Sequence, residues 1–167
     1  PVLDRAADTA DAVAAARDVA GIVARARFDA ARDQRSRAVR FTRGPAVSFT
    51  VVADGDGDGV TAADVGAGID PVVRPPDRLG DHFARASFAL AGGMPAVDEA
   101  RVLTSADDPI RLGSADQLTV TPLGTASGGT LYIASRTGEQ FAVRIAGVTG
   151  RTRVLRYDPG LRAWRTY

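Results

Sequence analysis

The chain has 167 residues, 45% of them apolar and 25% charged, which suits one globular domain with a real core and argues against global disorder. It has no cysteine, so disulfides, thiol catalysis and cysteine-ligated zinc are excluded, and it contains neither an apolar run of membrane-spanning length nor a signal-peptide pattern. The net charge of +1 is unevenly spread: residues 1–24 sum to −2, 25–43 to +5, 44–143 to −7 and 144–167 to +5, all basic groups being arginine. A nearly neutral protein of this kind still carries basic patches able to attract polyanions.

From Asp4 to Val39 there is no proline and one glycine, Gly21, and alanine dominates. Ala12, Ala16, Val19, Val23, Ala26 and Ala30 recur at alternating steps of four and three, with Ile22 beside them. This is one apolar stripe on a helix, predicted to fill roughly the first 40 residues and to run roughly 50 Å, so that one end projects from a domain this small. A two-stranded coiled coil is the alternative, although alanine at most seam positions makes a weak one. Ser36–Phe41 is read as the last helical turn, and Gly44-Pro45 as the terminator.

From Ala46 to Ala53 the period changes to two, with Val47, Phe49 and Val51 on the face of a strand packed against the helix. Residues 54–81 read as a long loop, and the wider stretch 54–115 as a variable region with short, uncertain elements. The last third alternates clearly. Leu118/Val120, Leu131/Ile133, Phe141/Val143/Ile145, Val154–Tyr157 and Leu161–Tyr167 are separated by Gly/Ser/Thr and Asp-Pro-Gly turns, which predicts an antiparallel meander. The layout is α+β: one domain, 1–167, with a helix over 1–40 and a β-rich part over 41–167.

Catalytic motifs are missing. His82 is the only histidine and sits beside Asp81 and Asp77 in a loop, and no nucleophile elbow or lysine-bearing phosphate loop occurs. The chain therefore reads as a non-enzyme without a small-molecule substrate. Asp54-Gly55-Asp56-Gly57-Asp58-Gly59 is the sharpest local signal. Carboxylates at alternate positions with glycines between them imitate the first half of an EF-hand loop, with Val60 offering its carbonyl. The second half departs, since Val65 stands at position twelve and Asp64 one residue early, so the set needs a shortened loop or help from Asp70. The predicted ligand is Ca²⁺; a solvated Asp-Gly turn is the other reading. Thr61 is placed to cap a short helix, Thr61–Val65.

The second constellation is Gly150-Arg151-Thr152-Arg153, backed by Arg144, Arg156, Arg162 and Arg165. In a strand Arg151 and Arg153 share a face, and arginine forks suit phosphate oxygens, with Trp164, Tyr157 or Tyr167 available to stack on bases. Solvated arginines flanking a turn are the plainer alternative.

The order helix, strand, variable loop, then Leu118–Gly124, Gly129–Ala134, Phe141–Ile145 and Gly150-Arg151-Thr152-Arg153 resembles the GspH/FimT family of type IV pilin-like proteins. Ala24–Arg40 is similar to that family's "AR-x-x-A" region. The resemblance implies a pilin-like fold, a long amino-terminal helix on antiparallel sheet. It implies a minor pilin or pseudopilin of a type II secretion or type IV pilus filament, with other pilin subunits as partners. An inner-membrane segment preceding Pro1, now cut away, would anchor such a protein facing the periplasm, or it would stand outside the cell in a pilus. The FimT branch implies an alternative: binding of double-stranded DNA for uptake, carried over here to Arg151 and Arg153.

Overall fold

The computed structural model describes residues 2–113 and 115–167. Helix α1 runs from Val2 to Asp33. It ends where Gln34 turns left-handed (φ 52°), with the Gln34 side-chain amide donating to the Ala31 carbonyl at 2.6 Å. The expected continuation to about residue 40 is corrected here, because Arg37–Thr42 is strand β1. Its backbone pairs with β2 (Ser48–Ala53) on one side and with β8 (Gln117–Val120) on the other. A segment that satisfies both edges in a sheet, with Val39 and Phe41 on its buried face, outweighs the modest helix preference of its arginines and Ala38.

The stretch read as loop also holds structure. After β2 come α2 (Ala62–Ala67), β3 (Val72–Arg78), α3 (Leu79–His82), β4 (Ala86–Phe88), β5 (Met94–Pro95), β6 (Val102–Leu103) and β7 (Ile110–Arg111). β3 carries Pro75 and Pro76, which hid it in the sequence, and it lies on a sheet edge where missing donors are tolerated. α2 is capped by Thr61, whose hydroxyl accepts from the Asp64 N–H. The meander expected from Leu118 is corrected in one member, because β8 pairs with β1 and not with its successor. It runs only through β9 (Gly129–Ser135), β10 (Gln140–Ile145), β11 (Thr152–Asp158) and β12 (Ala163–Thr166).

All pairings are antiparallel, and the fold is α+β. One sheet has the order β3-β2-β1-β8 and a second β12-β11-β10-β9-β4, with β7 also on β9; β5 and β6 form a small ribbon. α1 lies across the inner faces of both large sheets. Val19, Ile22, Val23, Ala26 and Ala30 join Val39, Phe49, Leu118, Leu131, Ile133, Phe141, Val143 and Ile145 in the main core. Alanines along that stripe let the helix axis approach the strands closely. The outer face of the larger sheet is covered by the β5–β6 segment, where Met94 and Leu103 pack with Tyr132. The outer face of the smaller one is covered by residues 60–65, with Val60 and Val65 against Ala38 and Val52.

Residues 2–11 of α1 are held differently. Asp8 has no exposed surface; its carboxylate meets Arg85 at 2.9 Å and Arg136 at 3.3 Å. Asp11 accepts from the Arg85 backbone N–H at 2.7 Å. Arg5 lies 3.5 Å from Glu139, which also takes the Thr9 hydroxyl.

Candidate functional site

α1 carries a second stripe, beyond the one that its valines mark in the sequence. Leu3, Ala7, Ala10, Ala14, Gly21, Ala24, Phe28 and Ala31 recur at steps of three, four and seven, and all are exposed. They lie on the helix side opposite the buried stripe. Leu3 is 85% and Phe28 63% exposed, and apart from Arg17 the positions between them carry small side chains. Arg17 swings aside over the Tyr167 ring, 5.4 Å from its centroid. The signal was present in the sequence: two interleaved small-residue series of period near 3.5, of which only the one richer in valine draws the eye. From Leu3 to Ala14 this surface carries little side-chain bulk and allows another helix to come close; beyond Ala14 the exposed Arg17, Arg25 and Arg32 share or flank it.

The aspartate loop leaves the end of β2. Asp54 is buried and accepts from the backbone N–H groups of Gly57 (2.6 Å) and Gly59 (3.2 Å). Asp70, also buried, closes the loop by accepting from Gly55 (2.9 Å) and Thr61 (3.0 Å). Gly55 must be glycine, because a Cβ there would stand 1.8 Å from the Ile69 carbonyl oxygen. Asp56 and Asp58 point outward, and oxygens of Asp54, Asp56 and Asp58 all come within 4.8 Å of one another. The hydrogen bond and charge of Asp56, aided by some burial and by the charges of Asp64 and Asp54, push the Asp58 carboxyl above its ordinary value.

The other two expected ligands are engaged elsewhere. Asp64 accepts from the Thr61 hydroxyl at 2.6 Å, as part of the α2 cap, and the Val60 carbonyl accepts from the Gln117 amide at 3.1 Å. The set brought together is Asp54, Asp56 and Asp58. Three hard carboxylate oxygens fit a hard divalent cation completed by water, fewer protein ligands than a full Ca²⁺ loop supplies.

The arginines divide. Arg153 stands opposite Arg144 on the outer face of the larger sheet, and Arg151 shares its parity. Arg156 stands opposite Arg165 on the other face, so the five do not form one surface. Arg144 is tied to Asp98 at 2.9 Å, Arg156 lies 3.4 Å from Glu139, and Arg165 lies 3.7 Å from Asp158. Arg162 sits in the β11–β12 turn with φ 50°. Arg151 and Arg153 are exposed, and neither has a carboxylate partner among the described residues. Gly150 before them has φ 59°, and a Cβ would meet Arg27 Nε and the Gly124 carbonyl, both at 2.6 Å, so this glycine answers to packing.

Of the aromatic residues expected to stack on bases, Trp164 and Tyr157 are packed inward, whereas Tyr167 keeps 49% of its surface exposed. The Trp164 indole N–H donates to the Pro95 carbonyl at 2.7 Å, and its ring packs against Tyr132 and Tyr157. Tyr167 sets its ring at right angles to Phe141. His82 bonds to Asp77 at 2.9 Å on the surface. Pro1, which the resemblance sets after a membrane-anchoring segment, lies outside the described residues. No helix among the described residues is long and apolar enough to cross a membrane. Comparison with protein-family models, curated proteins and solved structures finds no match for this chain.

Proposed function

We propose that the chain is a pilin-like structural subunit, a minor pilin or pseudopilin, whose α1 packs against other subunits in a filament while its sheets face outward. The observation that carries this reading is the outward small-residue stripe. A helix already buried along one side gains nothing as a monomer from a second apolar stripe of matching length. Docked against a neighbouring helix, that stripe removes Leu3, Phe28 and the intervening alanines from water. The α+β layout, with a long amino-terminal helix on antiparallel sheets, supports the same reading. It calls for no substrate and no catalytic group.

The reading is tested with Ala24→Glu in the intact chain. The position is exposed, so the melting temperature should hold within about a degree. The variant should nevertheless disappear from filaments sheared from producing cells. Recovery at the level of the unaltered chain would remove the stripe from assembly.

Within this reading the Asp54–Asp56–Asp58 loop is proposed to hold Ca²⁺ or a similar hard cation as an ordering device, since a cation relieves the repulsion between Asp56 and Asp58. A second reading is DNA binding through Arg151 and Arg153, favoured by the exposure of both guanidinium groups without carboxylate partners. With no groove-reading helix beside them, the arginines would meet phosphates, and binding would be insensitive to sequence. Arg151→Gln with Arg153→Gln should then flatten the salt slope of a DNA shift assay by about 0.7–0.9 for each phosphate no longer neutralised. Retention of DNA shift by the double variant ends that reading.

A further inference from the structure

A groove of about 800 Å³ runs between one flank of α1 and the strands β2 and β3. Its floor is apolar, with Ile22 and Ala26 from the helix and Val51 and Val73 from the strands. Its walls carry Arg17, Arg25, Arg32, Arg37 and Arg74 against only Asp18 and Asp29. Some of this charge is balanced locally: Arg32 meets Asp29 at 3.1 Å and Asp33 at 2.7 Å, Arg37 meets Asp33, and Arg74 meets Asp77 at 2.9 Å. Arg25 has no carboxylate partner among the described residues, and Arg17 rests on an aromatic ring instead of an acid. The groove therefore presents an excess of positive charge over an apolar floor.

The ligand that suits it is slender, acidic and short of side-chain bulk. The chain itself presents such a segment. Gly55-Asp56-Gly57-Asp58-Gly59 is exposed through Asp58, and its two outward carboxylates lie at alternate positions with only glycine between and beside them. We propose that this groove is the docking site for the cation-free Asp56–Asp58 loop of a second copy of the chain, the carboxylates meeting Arg25 and, in exchange with Asp77, Arg74; a cation held by the loop would compete with this contact. The proposal deepens the filament reading and rests on it for the expectation that copies meet.

The placement of the two surfaces sets the kind of assembly. The groove lies on the helix side of the smaller sheet, the side of Phe49 and Val51, whereas residues 60–65 fold over the other side onto Ala38 and Val52. The loop leaves β2 beside the end of α1, where Arg35 donates to the Gly55 carbonyl at 2.8 Å, so groove and loop are separate surfaces of one copy. The contact is heterologous, and repeated it builds a ring where the rotation between copies closes and an open chain where it does not.

Sedimentation of the full chain at low and high salt tests this. The unaltered chain should self-associate at low salt and lose that association as salt rises, since exposed charges are screened. Asp56→Arg with Asp58→Arg should weaken association by more than about tenfold, as should Arg25→Asp with Arg74→Asp. Mixing the two reversed chains should restore association, because one supplies a basic loop and the other an acidic groove. Restoration cannot come from misfolding, so it supports the contact directly. Absence of low-salt association, or association equal in all the variants, overturns the proposal. A disulfide between copies of Ala24→Cys, which reads cleanly in a cysteine-free chain, reports the α1 stripe separately. Stripe cross-links without loop-groove association overturn this contact alone and leave the filament reading standing.

Discussion

The two parts of α1 are attached to the same sheets by different physics. Residues 12–33 are held by apolar packing, with Val19, Val23, Ala26 and Ala30 almost wholly buried. Residues 2–11 are held by charges: Asp8 between Arg85 and Arg136, Asp11 on the Arg85 backbone, and Arg5 and Thr9 on Glu139. Apolar burial involves no ionisable group and is not screened by salt, whereas an ionic attachment is weakened by salt and depends on pH. One continuous helix thus contains a fixed segment and a segment that solution conditions can loosen.

The largest expected effect breaks the fixed segment. Val23→Asp removes apolar burial worth about 1.5–3 kcal/mol and leaves an unpaired carboxylate in the core, a cost of several kcal/mol more. Thermal melting followed by circular dichroism should show no cooperative transition at ordinary temperatures. A normal melt would mean that residues 12–33 are not the anchor.

A smaller effect should follow from Asp8→Ala. Loss of this carboxylate leaves Arg85 and Arg136 without it, but both arginines reach solvent, so the domain should stay folded. Hydrogen exchange should quicken in residues 2–11 and stay slow in residues 19–30. Acid should act in the same place. Burial disfavours the ionised form of Asp8, yet the hydrogen bond from Arg85 and the charges of Arg136 and Arg85 outweigh it and hold the carboxyl below its ordinary value of 3.8. The attachment is then fully present above that value and is lost as pH falls through the lower, folded-state one. Protection of residues 6–11, taken relative to intrinsic exchange at each pH, that falls no more between neutral pH and acid than protection of residues 19–30 would contradict the division.

The smallest effect reaches α1 from outside its packing. Arg35, just past the helix, donates to the Gly55 carbonyl at 2.8 Å and so links the helix end to the aspartate loop. If the loop takes Ca²⁺ with an affinity of about 10⁻⁴–10⁻³ M, then about 10 mM Ca²⁺ should stabilise the domain by roughly 1.4–2.7 kcal/mol. The melting temperature should rise, and exchange in residues 2–11 should not change. Equal melting with Ca²⁺ and with chelator leaves the loop as a backbone-capped turn.

Much of this was legible in the residues. The buried stripe of α1, the Phe49/Val51 strand, the Thr61 cap and the meander from Gly129 onward follow from periods of 3.6 and 2 and from turn residues, which are local properties, whereas the pairing of Gln117–Val120 with β1 in the other sheet is not. Residues 37–42 were misread as helix because pairing on both edges is a tertiary fact. β3 was missed because Pro75-Pro76 argues against a strand unless the strand lies at an edge.

The sites divide along the same line. Sequence alone determined which residue types were available: alternating aspartates and glycines, arginines at both ends of the charge profile, and alanines on two sides of one helix. Only the tertiary structure decided what they face. It turned Asp64 to Thr61 and the Val60 carbonyl to Gln117, set Arg156 and Arg165 on the opposite face from Arg153, and folded Trp164 under Pro95. It also buried one alanine stripe and left the other outside. Spacing along a chain fixes which side of its own helix or strand a residue takes, but which side becomes the interior depends on partners far away in sequence.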